Sequence, residues 1–246
     1  MSVRKPPDSW FWSHDIESDQ IDSLLMPGMH LMRLSSYGSG TKRRFAALLF
    51  KEAGPDRTYL LDVAPEQLTA QLASSGARPV AITAETLDDD VRFSLVLAKG
   101  PGSLTSLHTD LDEVALRALA DGQHTILDLA VYSVGGTHKF AAIVEEHAAE
   151  SWVLTGISAH ELDAKLLELG GTLVRLRPYT DGGQRRFAAV IDKSSTGRWA
   201  WYTDLDGDTV AKHLDENDAY PFDLDATKDE RGLRFTVVMY RDRASS

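Results

Sequence analysis

The chain has 246 residues, 43% hydrophobic and 8% aromatic, enough for a packed core in one domain or two. Its formal net charge of −11 is not offset by any long Lys/Arg run, which argues against a nucleic-acid partner and against an anionic membrane surface. With no cysteine, disulfides, thiolate catalysis and Cys–zinc sites are excluded.

In chain order, MSVRKPPDSWFWSHDI places Arg4 and Lys5 before prolines, with no apolar h-region. It does not read as a secretory signal, so the expected location is the cytoplasm, or outside the cell if a leader has been trimmed. No apolar run approaches the ~18 residues of a membrane helix. A short aromatic strand at Trp10–Trp12 leads into a helix with Ile21 and Leu25 four apart, stopped at Gly28. A strand carrying Met32 and Leu34 follows, then the turn YGSGTK and a second strand, KRRFAALLF.

The succession then recurs. Later short strands read TYLL, SWVL and RWAWYT, and later helices pair Leu68 with Leu72, Leu162 with Leu166 and Val210 with Leu214. Helix starts are marked by Pro65, by Asp110 or Asp112, by a capping box of Ser158 and Glu161, and by Asp206. The stops are Gly76, Gly122 and Gly170, with Asn217-Asp218 in the last copy.

The second strands fix the period. Their phenylalanines are Phe45, Phe93, Phe140, Phe187 and Phe235, at spacings of 48, 47, 47 and 48. Before each Phe stands a cation: Arg44, Arg92, Lys139, Arg186 and Arg234. After each stands a small residue: Ala46, Ser94, Ala141, Ala188 and Thr236. Eleven places before are Leu34, Ile82, Leu129, Leu176 and Leu224; thirteen before are Met32, Val80, Leu127, Val174 and Phe222. These two columns differ by two residues and so are expected on one strand face. The second strand avoids charge on both faces, which predicts cover on both sides.

The expected class is α+β: five tandem β-β-β-α repeats of about 47 residues, mostly antiparallel sheet. They form one repeat domain over 1–246, with 1–9 and 242–246 as flexible ends. The chain begins in a short strand and helix and ends in a second strand, Leu233–Tyr240. That phase predicts that the N-terminal strand completes the last unit, closing a propeller-like five-fold ring; an open curved array is the other arrangement.

The segments MRLSSYGSGTKRRFAALLFKEAGPDRTYLL and LRPYTDGGQRRFAAVIDK resemble a bacterial tandem repeat family related to the N-terminal repeats of polyglycine hydrolases. The resemblance extends over nearly the whole chain, although copy two has Glu85 and copy five Thr227 where the pattern has Tyr. It implies a repeat scaffold. In that family the peptide-cleaving chemistry belongs to a separate serine-hydrolase domain, which has no counterpart here, so no catalytic residue is carried over.

Ser-x-x-Lys spacing occurs at Ser2/Lys5 and Ser39/Lys42, in a tail and a turn rather than on a helix that would align the two groups. The run Asp204, Asp206, Asp208 lacks the Gly and Glu positions of a calcium loop and aligns with helix starts, so it reads as capping. Asp88-Asp89-Asp90 reads as a solvated turn tip. His138 and His147 bracket one strand without metal-ligand spacing, and no metal or cofactor is expected. Candidate ligand-binding residues are the cation column, Arg44, Arg92, Lys139, Arg186 and Arg234, which would form an anion-holding ring if the repeats close. Each cation pairing with a carboxylate or carbonyl of an adjacent unit is the structural alternative. Trp199 and Trp201, alternate residues beside Arg198, are the expected exposed aromatic patch. The functional expectation is a non-catalytic scaffold binding a peptide, glycan or protein. The alternative is a hydrolase-type enzyme with a site assembled from non-repeated residues of different copies.

Overall fold

The computed structural model describes residues 2–3, 5–38, 42–87, 90–120, 122–146, 151–193 and 195–241. The first repeat comprises β1 (Ser9–Ile16), α1 (Ile21–Leu24), β2 (Met29–Tyr37) and β3 (Arg44–Lys51). The second comprises β4 (Arg57–Val63), α2 (Leu68–Ser75), β5 (Arg78–Leu87) and β6 (Asp90–Ala98). The third comprises β7 (Thr105–Leu111), α3 (Glu113–Ala118), β8 (Thr125–Val134) and β9 (Thr137–Glu145). The fourth comprises β10 (Ser151–Ile157), α4 (Ala159–Leu169), β11 (Thr172–Asp181) and β12 (Gln184–Asp192). The fifth comprises β13 (Trp199–Leu205), α5 (Gly207–Glu216), β14 (Ala219–Asp229) and β15 (Gly232–Arg241). Each repeat is one antiparallel three-stranded sheet with the Phe-bearing strand in the middle. No helix among the described residues is long and apolar enough to cross a membrane.

The phase differs from the sequence expectation. β1 pairs with β3, placing Trp12 opposite Leu48, and β15 pairs with β13, placing Val238 opposite Trp201. The short strand therefore belongs to the sheet of the hairpin that follows it, and among the described residues the three-stranded sheets of the first and last repeats exchange no strand. Pairing within one stretch closes a much shorter loop than pairing β1 with β15 would. The N-terminal segment is also engaged: Ser2–Val3 runs parallel to Ser195–Thr196, and Asp8 N donates to Lys51 O at 2.9 Å.

The sheets stay separate, joined by side chains rather than by backbone ladders. Each middle strand is buried on both faces, as its uncharged pattern requires. The Phe face of one repeat packs on the small-residue face of the next. Phe93, Leu95 and Leu97 meet Tyr132, Ala141 and Ile143. Phe187, Ala189 and Ile191 meet Tyr220, Val238 and Tyr240. The fifth core returns to the start, for Phe235, Val237 and Met239 meet Tyr37 and Ala46, with Trp10 and Trp12 packed alongside. The contacts thus run in a cycle, and the joint between the fifth and first repeats is called the seam below.

The inner strands, β2, β5, β8, β11 and β14, contact one another in succession, β14 against β2 included. Every one carries a bulge at the column thirteen before Phe: the ladders skip Met32, Val80, Leu127, Val174 and Phe222. An extra residue breaks the period-two alternation. Contrary to the sequence expectation, the two apolar columns therefore serve different cores. Ile82 and Leu129 pack with their own Phe, whereas Val80 and Leu127 pack in the core of the preceding repeat.

The outer strands bulge as well. The residue there is left-handed in each repeat: Asp15 (φ 63), Asp62 (φ 61), Asp110 (φ 57), Gly156 (φ 70) and Asp204 (φ 62). Aspartate tolerates that conformation through local polar contacts. In three repeats the freed N–H is bound by a tyrosine hydroxyl from the inner strand: Asp15 N to Tyr37, Asp110 N to Tyr132 and Gly156 N to Tyr179, each at 2.8 Å. Burial pushes the Tyr37 phenol up to about 12, an acidity at which it remains a neutral partner.

The two copies without tyrosine carry a hydroxyl in the small column instead. In the copy with Glu85 the small column holds Ser94, whose hydroxyl accepts from Asp62 N at 3.4 Å. In the copy with Thr227 it holds Thr236, hydrogen-bonded to Thr203 at 2.9 Å. Tyrosine goes with alanine and its absence goes with a hydroxyl. Tyr132→Phe should accordingly lose about 1 kcal/mol in urea titration, and adding Ala141→Ser should recover part of it. A Tyr132→Phe loss that Ala141→Ser does not reduce would show that the two columns are independent.

Candidate functional site

Two places gather chemistry: the axis lined by the inner strands, and the seam. On the axis, Arg33 and Arg177 alternate with Asp128 and Asp223 in a four-membered ring of ion pairs. Arg33 holds Asp128 through Nη1 and approaches Asp223 through Nε at 3.3 Å. Arg177 donates to Asp128 at 2.6 Å and to Asp223 at 2.5 Å. All four side chains are at most 4% exposed. The remaining lone pairs and protons are met by backbone. Ile82 N and Leu129 N donate to Asp128, Leu176 N donates to Asp223, and Arg33 and Arg177 donate to Leu224 O and Leu129 O. Repeat two contributes no charge, having Ala81, but its Ile82 supplies both an N–H and a carbonyl.

Burial alone would raise the Asp223 carboxyl; the guanidinium groups of Arg177, Arg33 and Arg175 outweigh it and hold Asp223 well below the usual carboxylate range. At Asp225 burial wins over Arg177 and Arg33, and its carboxyl is pushed up. Ser35 Oγ donates to Asp225 at 2.6 Å and accepts from Ala226 N at 2.8 Å. Above this layer lies a small cavity of about 120 Å³, lined by Ser36, Thr83, Arg177, Asp225 and Thr227 among smaller residues. At the ~30 Å³ that each liquid water occupies, it has room for a few waters or one small polar group.

The axial ring was missed in the sequence because it is not a repeated column. Twelve before Phe stand Arg33, Ala81, Asp128, Arg175 and Asp223, and ten before stand Ser35, Thr83, Ala130, Arg177 and Asp225. The signal is complementarity: three arginines and three aspartates in two columns that otherwise read as a solvent face.

The cation column is engaged repeat by repeat. Arg44 pairs with Glu17 at 2.8 Å, Arg92 with Asp90 at 2.5 Å and Lys139 with Asp110 at 2.9 Å. Arg186 donates to Gln184 at 2.6 Å and lies 3.7 Å from Glu161, and Arg234 donates to Arg231 O at 3.1 Å. Each partner lies within the same repeat rather than in an adjacent one, because the short strand and helix belong to the sheet that follows them. Trp199 and Trp201 are half-buried against the fourth core. Trp201 meets Phe187 edge-on at 5.9 Å and donates to Asp163 at 3.0 Å.

Asp112, Ser158 and Asp206 cap their helices, and Glu161 completes the box at Ser158. Ser39, Asp88, Asp89 and His147 lie outside the described residues. His138 stacks edge-on against Tyr179 at 4.8 Å. Among the described residues, no three His, Cys, Asp or Glu are placed to hold a metal ion.

The seam holds a larger groove of about 240 Å³ between β1 and α5, lined by Trp10, Trp12, Ala211, Leu214, Asp215, Asp218 and Ala219. Trp12 is braced edge-on against Phe235 at 5.5 Å.

Residues 165–194, spanning the end of α4 and all of β11 and β12, match the family model of the polyglycine hydrolase-like structural repeat. The match covers the later part of the fourth repeat. Within that polyglycine hydrolase-like segment lie Arg177, Tyr179 and Phe187, that is, an axial charge, a bulge-locking tyrosine and the core phenylalanine. The other four copies carry the same Phe column at the same period. No curated protein matches the chain.

Proposed function

We propose that the chain is a non-catalytic repeat scaffold that binds a peptide, glycan or protein partner. One observation carries this reading: the axial charges are consumed by one another, whereas aromatic surface stays open to solvent at the seam. A repeat array offers such surface between units more readily than it offers one reaction centre.

The alternative, a hydrolase-type enzyme, is favoured by the axial cavity, whose polar lining is not repeated and includes the raised carboxyl of Asp225. Against it, the serine beside that carboxyl, Ser35, is 1% exposed, so a substrate carbonyl cannot reach its hydroxyl.

The test is to titrate the full chain with capped peptides and oligosaccharides, following tryptophan fluorescence and the mass of the ligand. Saturable shifts with the ligand recovered intact are expected, and a serine-directed fluorophosphonate should leave the protein mass unchanged. A cleaved ligand or stoichiometric labelling would move the assignment to the hydrolase.

A further inference from the structure

Two of the joints between successive repeats share a lock, and the seam has its aromatic without its carboxylate. In the second repeat Tyr59, opposite the third residue after Phe, donates to Asp22 of the preceding helix at 2.6 Å. In the fifth repeat Trp201 holds the same place and donates to Asp163 of α4. Asp22 and Asp163 each follow the first buried apolar residue of their helix, Ile21 and Leu162. The third and fourth repeats put Leu107 and Val153 at the aromatic position and need no such lock. At the seam the aromatic is Trp12, but the residue following Val210 in α5 is Ala211. The lock is absent, and the groove opens where the carboxylate would be.

Three features give the vacant place a chemistry. Trp10 and Trp12 are alternate residues on one face of β1, so two indoles line the same wall. Asp215 and Asp218 sit on the opposite wall, exposed, with no ion-pair partner among the described residues. Their position is unfavourable for the helix itself, because Asp215 lies in the last turn of α5 and Asp218 just beyond it, at the negative end of the dipole. Indole faces, free carboxylates and a helix C-terminus all favour a cation. The net charge of −11 adds long-range attraction for one.

We propose that the groove between the first and last repeats binds a lysine or arginine side chain of a peptide partner. The side chain lies against Trp10 and Trp12 with its charge at Asp215 and Asp218. This assignment rests on the scaffold being a binding module and names its ligand class.

The experiment uses the full chain and two capped tripeptides, acetyl-Gly-Arg-Gly-amide and its uncharged citrulline counterpart, read by the indole N–H resonances of the five tryptophans. Single Trp→Phe variants assign the signals. The arginine peptide should shift Trp10 and Trp12 saturably while Trp152, Trp199 and Trp201 stay in place, and the citrulline peptide should bind at least about tenfold more weakly. Asp215→Asn with Asp218→Asn should weaken the arginine peptide several-fold with no loss of melting temperature, and raised salt should weaken it likewise. Equal response to the two peptides, or no saturable shift at Trp10 and Trp12, overturns the proposal. In that event an intact ligand bound elsewhere on the chain leaves the scaffold reading standing, whereas cleavage of the ligand removes the scaffold reading itself.

Discussion

Asp223→Ala should destabilise the protein by about 3–5 kcal/mol in denaturant titration, the range for removing one partner of a buried ion pair. Asp223 is the meeting point of Arg33 and Arg177 and accepts from Leu176 N, so its loss leaves the two guanidinium groups sharing the single carboxylate of Asp128 in a dry interior. The cost is that of uncompensated charge, not of a missing contact. A fourfold replacement with apolar residues of similar volume (Arg33→Met, Asp128→Leu, Arg177→Met and Asp223→Leu) should therefore cost less than the single change. If the fourfold variant is the less stable of the two, the ring of charges is itself a net source of stability.

The pH dependence follows in sign. Asp223 is held below its unfolded pKa, so its contribution is present above the ordinary carboxylate range, about pH 4, and is lost as pH falls through the lower folded value. Asp225, pushed up by burial, acts oppositely: its contribution is present at low pH and is lost as pH rises through its folded value. Asp223→Ala should flatten the acid limb of stability against pH. An acid limb unchanged by the substitution would assign the acid sensitivity to other carboxylates.

Phe187→Ala should cost about 3–5 kcal/mol as well, through lost transfer energy and the cavity left behind. Phe187 is 1% exposed, and it belongs to the core shared by the fourth and fifth repeats. Its ring is the edge-on partner of Trp201, which is in turn tied to Asp163 of α4. The backbone on either side is fixed by two ladders, so collapse into the void is resisted. A loss under about 1 kcal/mol would show that the Phe column does not carry the cores.

What was legible in the sequence is what neighbouring residues decide. The period follows from five phenylalanines, burial on both faces of the middle strands follows from their lack of charge, and the cap at Ser158 follows from a partner three residues on. The columns of small residues and tyrosines were visible too, but the exchange of Ser94 with Glu85 acquired a meaning only with the bulge N–H that Ser94 serves, and that of Thr236 with Thr227 only with the Thr203 hydroxyl it meets.

Tertiary structure decided the rest. Whether Trp12 pairs with Leu48 or with the last strand is a choice between partners of equal pattern, settled by loop length and packing. The bulges at Val80 and Leu127 turn a column to the other face without changing its composition. Arg33 and Asp128 are 95 residues apart and occupy columns that look solvent-facing in any single copy. Only when the inner strands converge do their opposite charges meet, because burial removes water as the partner of each.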